Sequence, residues 1–359
     1  MNKPPVVILA AGSSSRFEPL TNNQHKSHTS LFGLPLLVRT IKNLQKANFT
    51  DLIVVISSED AEKQKTKNLL QNYNLKEINI AVQKNKNGMG DALLAAEEFL
   101  QTDQFCLIRG TCINAAEILE KMLNMNSANV VCAVETETPW IYGILDLQND
   151  QAVGLVEKPE KGTEPSSSRL EAVYLLSAEF LQTLKQTQAH EHSLEITLNQ
   201  MMKNQAWPVL HLEQNNPSLK YPWHLFKFLK PLAGQQESYQ APSARVSDKA
   251  VINDSHGPVI IEEGARVFDF ATLVGPCYVG KNCLVGNYSF VRGSCIEPGA
   301  SVGANAEVVR SILLPGSTMH YGYIADTILG ENSWIGAGII TANKRLDEKT
   351  FALWSKVKW

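Results

Sequence analysis

An arginine and a lysine ten residues apart follow a loop of small residues near the start of this chain. The segment from 6 to 26 reads VVILAAGSSSRFEPLTNNQHK. Its apolar opening, Val6 to Leu9, predicts a buried strand, which breaks into Gly12-Ser-Ser-Ser before Arg16 and then Lys26. Small residues after a strand let backbone N–H groups come close to an anion. Arginine and lysine add charge-assisted contacts to phosphate oxygens. That combination suits a nucleoside triphosphate better than a plain surface loop.

The elements around the loop must place it at the end of a sheet. Apolar runs predict strands at Val6–Leu9, Leu52–Ile56, Ile78–Val82, Phe105–Ile108, Val130–Val134 and Tyr142–Leu147. Helical periodicity predicts helices at Leu36–Lys46, Ala61–Asn72, Asp91–Leu100 and Ala115–Met125. Alternation of this kind argues for an α/β domain with a mostly parallel sheet covered on both faces. Ligands of such sheets sit outside the carboxyl ends of the strands, where the Gly12–Arg16 loop lies.

Near residue 235 the composition shifts to GQQESYQAPSA, which carries no apolar periodicity. Beyond it, apolar residues recur at every sixth position: Ile261, Val267, Leu273, Val279, Val285 and Val291. The frame slips by one to Ile296, Val302 and Val308, then restarts at Leu329 and Ile335. A six-residue period predicts a parallel β-helix, three hexads to a coil. We therefore expect an α/β domain over residues 1–232, a linker over 233–250 and a β-helix over 251–359. Cys277, Cys283 and Cys295 share the fifth hexad position with Ser289, where small side chains point inward. Cys277 and Cys295 are then expected to stack in successive coils. With Cys106, Cys112 and Cys132 they make six cysteines without a CxxC pair, the usage of free thiols in a reducing cytoplasm.

The bulk figures narrow the function classes. The chain has 359 residues, 44% apolar and 19% charged, with a net charge of −3. No broad basic surface argues for a nucleic-acid polymer or an anionic membrane. No apolar run reaches membrane-span length, and the N-terminal run is too short for a signal peptide and flows into SSSRFEPL.

Several motifs occur in order, LAAGSSSRFEPLT, HKSHTSLFGLPLL, Gly88-Met-Gly-Asp-Ala92, Trp140-Ile-Tyr142-Gly143, Glu157-Lys158-Pro159, Pro222-Trp223 and HYGYIAD. Together they resemble the sugar-phosphate nucleotidyltransferases that carry a left-handed β-helix. The likeness is strongest to the archaeal-type bifunctional UDP-N-acetylglucosamine pyrophosphorylase/glucosamine-1-phosphate acetyltransferases, from residue 6 to about 350. The resemblance implies that the loop of Leu9, Ala11, Gly12, Ser13 and Ser14 wraps a triphosphate, with Arg16 and Lys26 stabilising its charge. It implies that Gln83 and Gly88 read the base, since a glutamine amide offers both a donor and an acceptor. Asp91 also reads as a helix cap. Gly143, Glu157 and Lys158 correspond to sugar-site elements. The usual Asn-Ala-Gly-Tyr is Glu171-Ala-Val-Tyr174 here, which implies altered sugar recognition.

The family's two Mg²⁺-binding aspartates correspond to Thr111, in FCLIRGTCIN, and Ser218, in NNPSLKYPW. Mg²⁺ requires charged oxygen ligands, and Asp91 is a candidate replacement. In the β-helix, His320 matches the general base of N-acetyl transfer. Arg292, Tyr323 and Asn343 match substrate-contacting positions, and relatives bind acetyl-CoA on further coils. His25 and His28 flank Lys26 and read as loop surface, with phosphate contact as the alternative. His190 and His192, near Glu195, offer too few converging donors for zinc.

The reading is a cytoplasmic enzyme joining an NTP, UTP in the first instance, to a sugar 1-phosphate with release of pyrophosphate. Two alternatives stand beside it: a nucleotide- or sugar-binding scaffold, and an N-acetyltransferase. Family β-helices associate side by side, which implies a homotrimer or other homo-oligomer.

Overall fold

The computed structural model describes residues 3–20, 24–213 and 216–341, with 60–62 described in backbone only. The chain forms two units, Met1–Thr29 with Pro35–Lys220, and Ser30–Leu34 with Tyr221–Trp359. Its first elements are β1 (Val6–Ala10), β2 (Ser30–Leu31), β3 (Leu34–Pro35), α1 (Leu36–Lys46), β4 (Leu52–Ser57), α2 (Asp60–Asn72), β5 (Asn79–Gln83) and α3 (Gly88–Leu94). They continue with β6 (Gln104–Arg109), α4 (Ala115–Leu123), β7 (Val130–Glu135), β8 (Gly143–Gln148), β9 (Gln151–Glu157) and β10 (Ser168–Ser177). Next come α5 (Ala178–Gln186), α6 (Ser193–Asn204), β11 (Trp207–Leu212) and α7 (Phe226–Ala233).

The first unit is built on a nine-stranded sheet in the order β5-β4-β1-β6-β10-β7-β11-β9-β8. Its first half is parallel, with Leu9 of β1 level with Val55 of β4 and Arg109 of β6. Both faces of β1 are buried, Val7 toward a core shared with Leu93, Phe180 and Leu198, and Val6 and Ile8 on the opposite side. This is why the strand reads as a continuous apolar run. The second half departs from the expected mostly parallel sheet. β10 runs antiparallel to both β6 and β7, and β9 runs antiparallel to β11 and β8. A pairing of Arg169 with Ile144 also ties β10 to β8.

In the second unit, three sheets of six parallel strands stack around one core, the arrangement of a left-handed β-helix. Ile261, Val279, Ile296, Leu313 and Leu329 form one inward column, and Val267, Val285, Val302, Met319 and Ile335 another. Stacking in this column shortens along the chain, from eighteen residues between Ile261 and Val279 to sixteen between Leu313 and Leu329. The expected stacking of Cys277 on Cys295 therefore does not occur. A seventeen-residue coil sets Cys295 against Tyr278 instead. Coiling already begins at Tyr239–Gln240 and Arg245–Val246, which pair with the next coil. The stretch 233–250 thus contains strands of the helix, with exposed polar side chains that hide the hexad period. Residues 30–34 turn through Phe32 and Gly33, both at positive φ. The Phe32 ring lies 5.3 Å from that of Tyr278, and the Gly33 N–H donates to Glu297 at 3.2 Å. All six cysteines are free and buried.

Candidate functional site

The loop after β1 is open where phosphate chemistry needs it to be. Gly12, Ser13 and Arg16 are exposed, while Leu9 and Ala11 belong to the packed strand end. Ser14 adopts a left-handed conformation, φ 53°, and its Oγ accepts the Lys26 N–H at 3.0 Å. That bond closes the loop on itself and fixes Lys26 beside it. Arg16 sits in a single 3₁₀ turn, Ser15–Phe17, anchored by the buried Phe17 ring. Burial lowers the Lys26 ammonium to about 8, helped by the charges of Arg109, Arg16 and Lys220. Burial and the same two arginines also lower Lys220. The site holds more positive charge than it can neutralise, which is the electrostatics of a polyanion cradle.

His25 and His28 are not loop surface. Both are buried, at 4% and 6% exposure. His28 contacts Thr66 Oγ1 at 3.1 Å, and burial pushes it to about 4. Burial, Lys26 and His28 hold His25 well below the usual histidine range. Its Nδ1 accepts the Ser27 N–H at 3.2 Å. The neutral ring then carries its proton on Nε2, beside Gly12. An N–H donor thus faces the Gly12 loop, and what the sequence hid is the burial of the turn around Lys26, which carries no apolar signature.

Gln83 ends β5 and is buried. Its amide nitrogen donates to the Gly88 carbonyl at 3.1 Å and to Asp91 Oδ2 at 2.9 Å. Both neighbours are acceptors, so the orientation of the amide is set by the network. What remains for a base is the acceptor Oε1. Gly88 has φ +77°, and a Cβ there would collide with the Glu191 carbonyl oxygen. Its glycine is thus required by packing against the loop before α6.

The carboxyl end of β6 holds a feature that the motif comparison passed over. Arg109, level with Leu9, donates from Nη1 to Ser218 Oγ at 2.6 Å and from Nη2 to Glu171 Oε2 at 3.2 Å. Arg169 binds the other Glu171 oxygen. Glu171 is 3% exposed and is enclosed by two guanidinium groups. Nearby, Asn216 donates to Cys112 Sγ at 3.0 Å, docking the 216–218 segment on the strand end. Thr111 is buried and contributes no charge. Asp91 is occupied by Gln83, and no cluster of three or more His, Cys, Asp or Glu that could hold a metal occurs among the described residues.

This donor set does not fit Mg²⁺. The ion needs carboxylate or phosphate oxygens, whereas Ser218 already accepts from a cation. A divalent ion held about 4 Å from a fixed unit charge is opposed by roughly 8 kcal/mol at an effective dielectric of 20. The signal in sequence was one arginine closing the otherwise apolar run FCLIR.

Beyond β7, Tyr142 presents its ring to two cations, the Arg169 guanidinium at 4.5 Å and Lys220 Nζ at 5.7 Å. Gly143 lies across from Glu157, whose Oε2 would stand 2.7 Å from any Cβ at 143. Glu157 and Lys158 are exposed, 4.0 Å apart. They sit where an acceptor molecule can reach them.

In the second unit, His320 is exposed on the wall of a concavity of about 430 Å³ also lined by Asn305, Thr318 and Tyr321. Tyr323 and Arg292 are half-buried, and Arg292 faces Glu307 at 3.8 Å. Tyr323 pairs along the stack with Glu307, and Arg292 with Val309, so the two lie in one sheet with the Val291–Val308–Ile324 column between them. Asn343 lies outside the described residues.

Comparison with known proteins places this geometry. The Nucleotidyl transferase family model matches residues 5–214. A bifunctional sugar-1-phosphate nucleotidylyltransferase/acetyltransferase of Sulfurisphaera tokodaii is 30% identical over 351 residues, 95% of this chain and 83% of that protein. The chain belongs to the nucleotidyl transferase family. The bifunctional protein GlmU of Methanocaldococcus jannaschii is 27% identical over 96% of this chain and 81% of its own length. A glucose-1-phosphate thymidylyltransferase of Neisseria meningitidis is 29% identical over 163 residues, 43% of this chain and 56% of that protein. Among solved structures, one assigned as a glucose-1-phosphate thymidylyltransferase of Bacillus anthracis, in complex with a sucrose, superposes with a TM-score of 0.50 at 21% identity. It covers 59% of this chain and 87% of its own and shares the fold of the first unit. The resemblance read from the motifs is therefore a family membership. No helix among the described residues is long and apolar enough to cross a membrane.

Proposed function

We propose that this chain joins a nucleoside triphosphate, UTP in the first instance, to a sugar 1-phosphate, forming a nucleotide sugar and pyrophosphate. The observation that carries this reading is the group of Lys26, Arg16, Arg109 and Lys220 at the carboxyl ends of β1 and β6, each cation close enough to depress Lys26. An acceptor phosphate oxygen attacks the α-phosphorus, and the bond to the β-phosphate oxygen breaks. Pyrophosphate leaves with the electron pair. The nucleophile is already an oxyanion, so no general base is needed, and catalysis reduces to positioning and charge stabilisation. Lys26 and Arg16 hold the triphosphate, the Gln83 Oε1 accepts from the base, and Glu157 with Lys158 holds the acceptor. A screen of NTPs against sugar 1-phosphates with pyrophosphate detection tests the reading. It predicts release that requires both substrates, and no release from any pair contradicts it.

A second reading, binding without turnover, is favoured by the Arg109–Ser218 bond at a position where the family holds its metal. On that reading the natural chain binds NTP without releasing pyrophosphate, and Thr111→Asp with Ser218→Asp creates release. Acetyl transfer from acetyl-CoA through His320 is a third, supported by the exposure of His320 on its concavity. Thiol release with glucosamine 1-phosphate and acetyl-CoA, lost in His320→Ala, is its test. We place the protein in the cytoplasm as a homotrimer associating through the β-helix.

A further inference from the structure

The phosphate site carries a fixed cation at the place where the family's carboxylates would hold a mobile one. Arg109 is bonded to Ser218 at 2.6 Å, and Thr111 and Ser218 offer hydroxyls in place of carboxylates. Glu171 balances only one of the two guanidinium groups that enclose it, Arg109 and Arg169. The Arg109 Nε–H is buried and has no hydrogen-bond partner among the described residues. Lys26, Arg16 and Lys220 complete a cluster of like charge. These are the features of a site built to receive negative charge directly, without an intervening metal.

We propose that Arg109 stands in for the divalent cation, so that this chain binds its nucleoside triphosphate as the free anion and not as the magnesium complex. The proposal rests on the triphosphate site of the proposed function and concerns its counter-charge. A guanidinium can give paired N–H donors to phosphate oxygens in a planar geometry, which no metal aqua ion reproduces. A metal-bound triphosphate would enter with two of its charges already neutralised and a cation facing Arg109. Binding of nucleotide and binding of metal are then antagonistic, and the antagonism is reciprocal.

Isothermal titration of the full chain with UTP, and with dTTP, in EDTA and then in millimolar Mg²⁺ tests this. The expected result is a dissociation constant in EDTA several-fold below that in Mg²⁺, weakened tenfold or more in Arg109→Gln. A constant in EDTA equal to or above that in Mg²⁺, or an unchanged one in Arg109→Gln, overturns the proposal and leaves the triphosphate reading standing. Absence of binding in both buffers overturns both. Should Arg109→Gln fail to fold, the natural chain decides alone in a second measurement. Adding it to the Mn²⁺ complex of UTP should raise the paramagnetic resonance signal of free Mn²⁺, whereas a fall in that signal contradicts the account.

Discussion

Lys26 is the residue on which the proposed chemistry turns. Its ammonium titrates at about 8 because it is buried among Arg109, Arg16 and Lys220. Below that pH it is mostly charged, and above it the site loses a cation. A bound polyphosphate favours the charged form, so nucleotide affinity should be level from pH 7 to 7.5 and fall several-fold by pH 9. Titration calorimetry across that range checks this, and a constant affinity would show that Lys26 does not touch the phosphates. The loop and this lysine were legible in the sequence because their spacing is local, within residues 12 to 26. Arg109 was not. Its meaning depends on Ser218 and Glu171, which are distant in sequence and meet only when β6, β10 and the 216–218 segment are assembled. Glu171 read alone as a sign of altered sugar recognition; the structure holds its carboxylate between Arg109 and Arg169.

At the scale of elements, the parallel half of the sheet was readable because strands buried on both faces leave unbroken apolar runs. Helix α1 was readable to the residue, since Leu37, Ile41 and Leu44 repeat at helical spacing and seven of its eleven positions are buried. The strands β9, β10 and β11 were not. β10 mixes Arg169 and Glu171 into its buried stretch and changes register between Glu171 and Tyr174, which erases the period of two. The Gly88 turn is the element most sensitive to substitution. In Gly88→Ala the new methyl group meets the Glu191 carbonyl at a backbone conformation that alanine resists. Overpacking of this kind costs about 1–3 kcal/mol. Chemical denaturation should show a loss in that range, together with weaker nucleotide binding because Gln83 donates to the carbonyl of the same residue. Unchanged stability would mean that the loop before α6 yields easily.

At the scale of the whole molecule, the hexad period and its slip after Val291 announced the β-helix, whereas the first strands, within 233–250, escaped it because their exposed side chains are polar. The helix also exposes an aromatic pair, Phe270 and Tyr288, stacked 5.0 Å apart with Tyr288 61% exposed. If the trimer forms there, light scattering after size-exclusion chromatography should give three times the chain mass, and Phe270→Lys with Tyr288→Lys should give one. A monomeric natural chain would contradict that assembly. The account as a whole claims that the cationic site of the first unit performs nucleotidyl transfer. Its most direct test is phosphorus NMR of the natural chain with an NTP and a sugar 1-phosphate, beside Lys26→Met. The account predicts equal amounts of nucleotide sugar and pyrophosphate, with a rate about 10²–10³-fold lower in the variant. Product formed equally fast by Lys26→Met, or no product from any substrate pair, would contradict it.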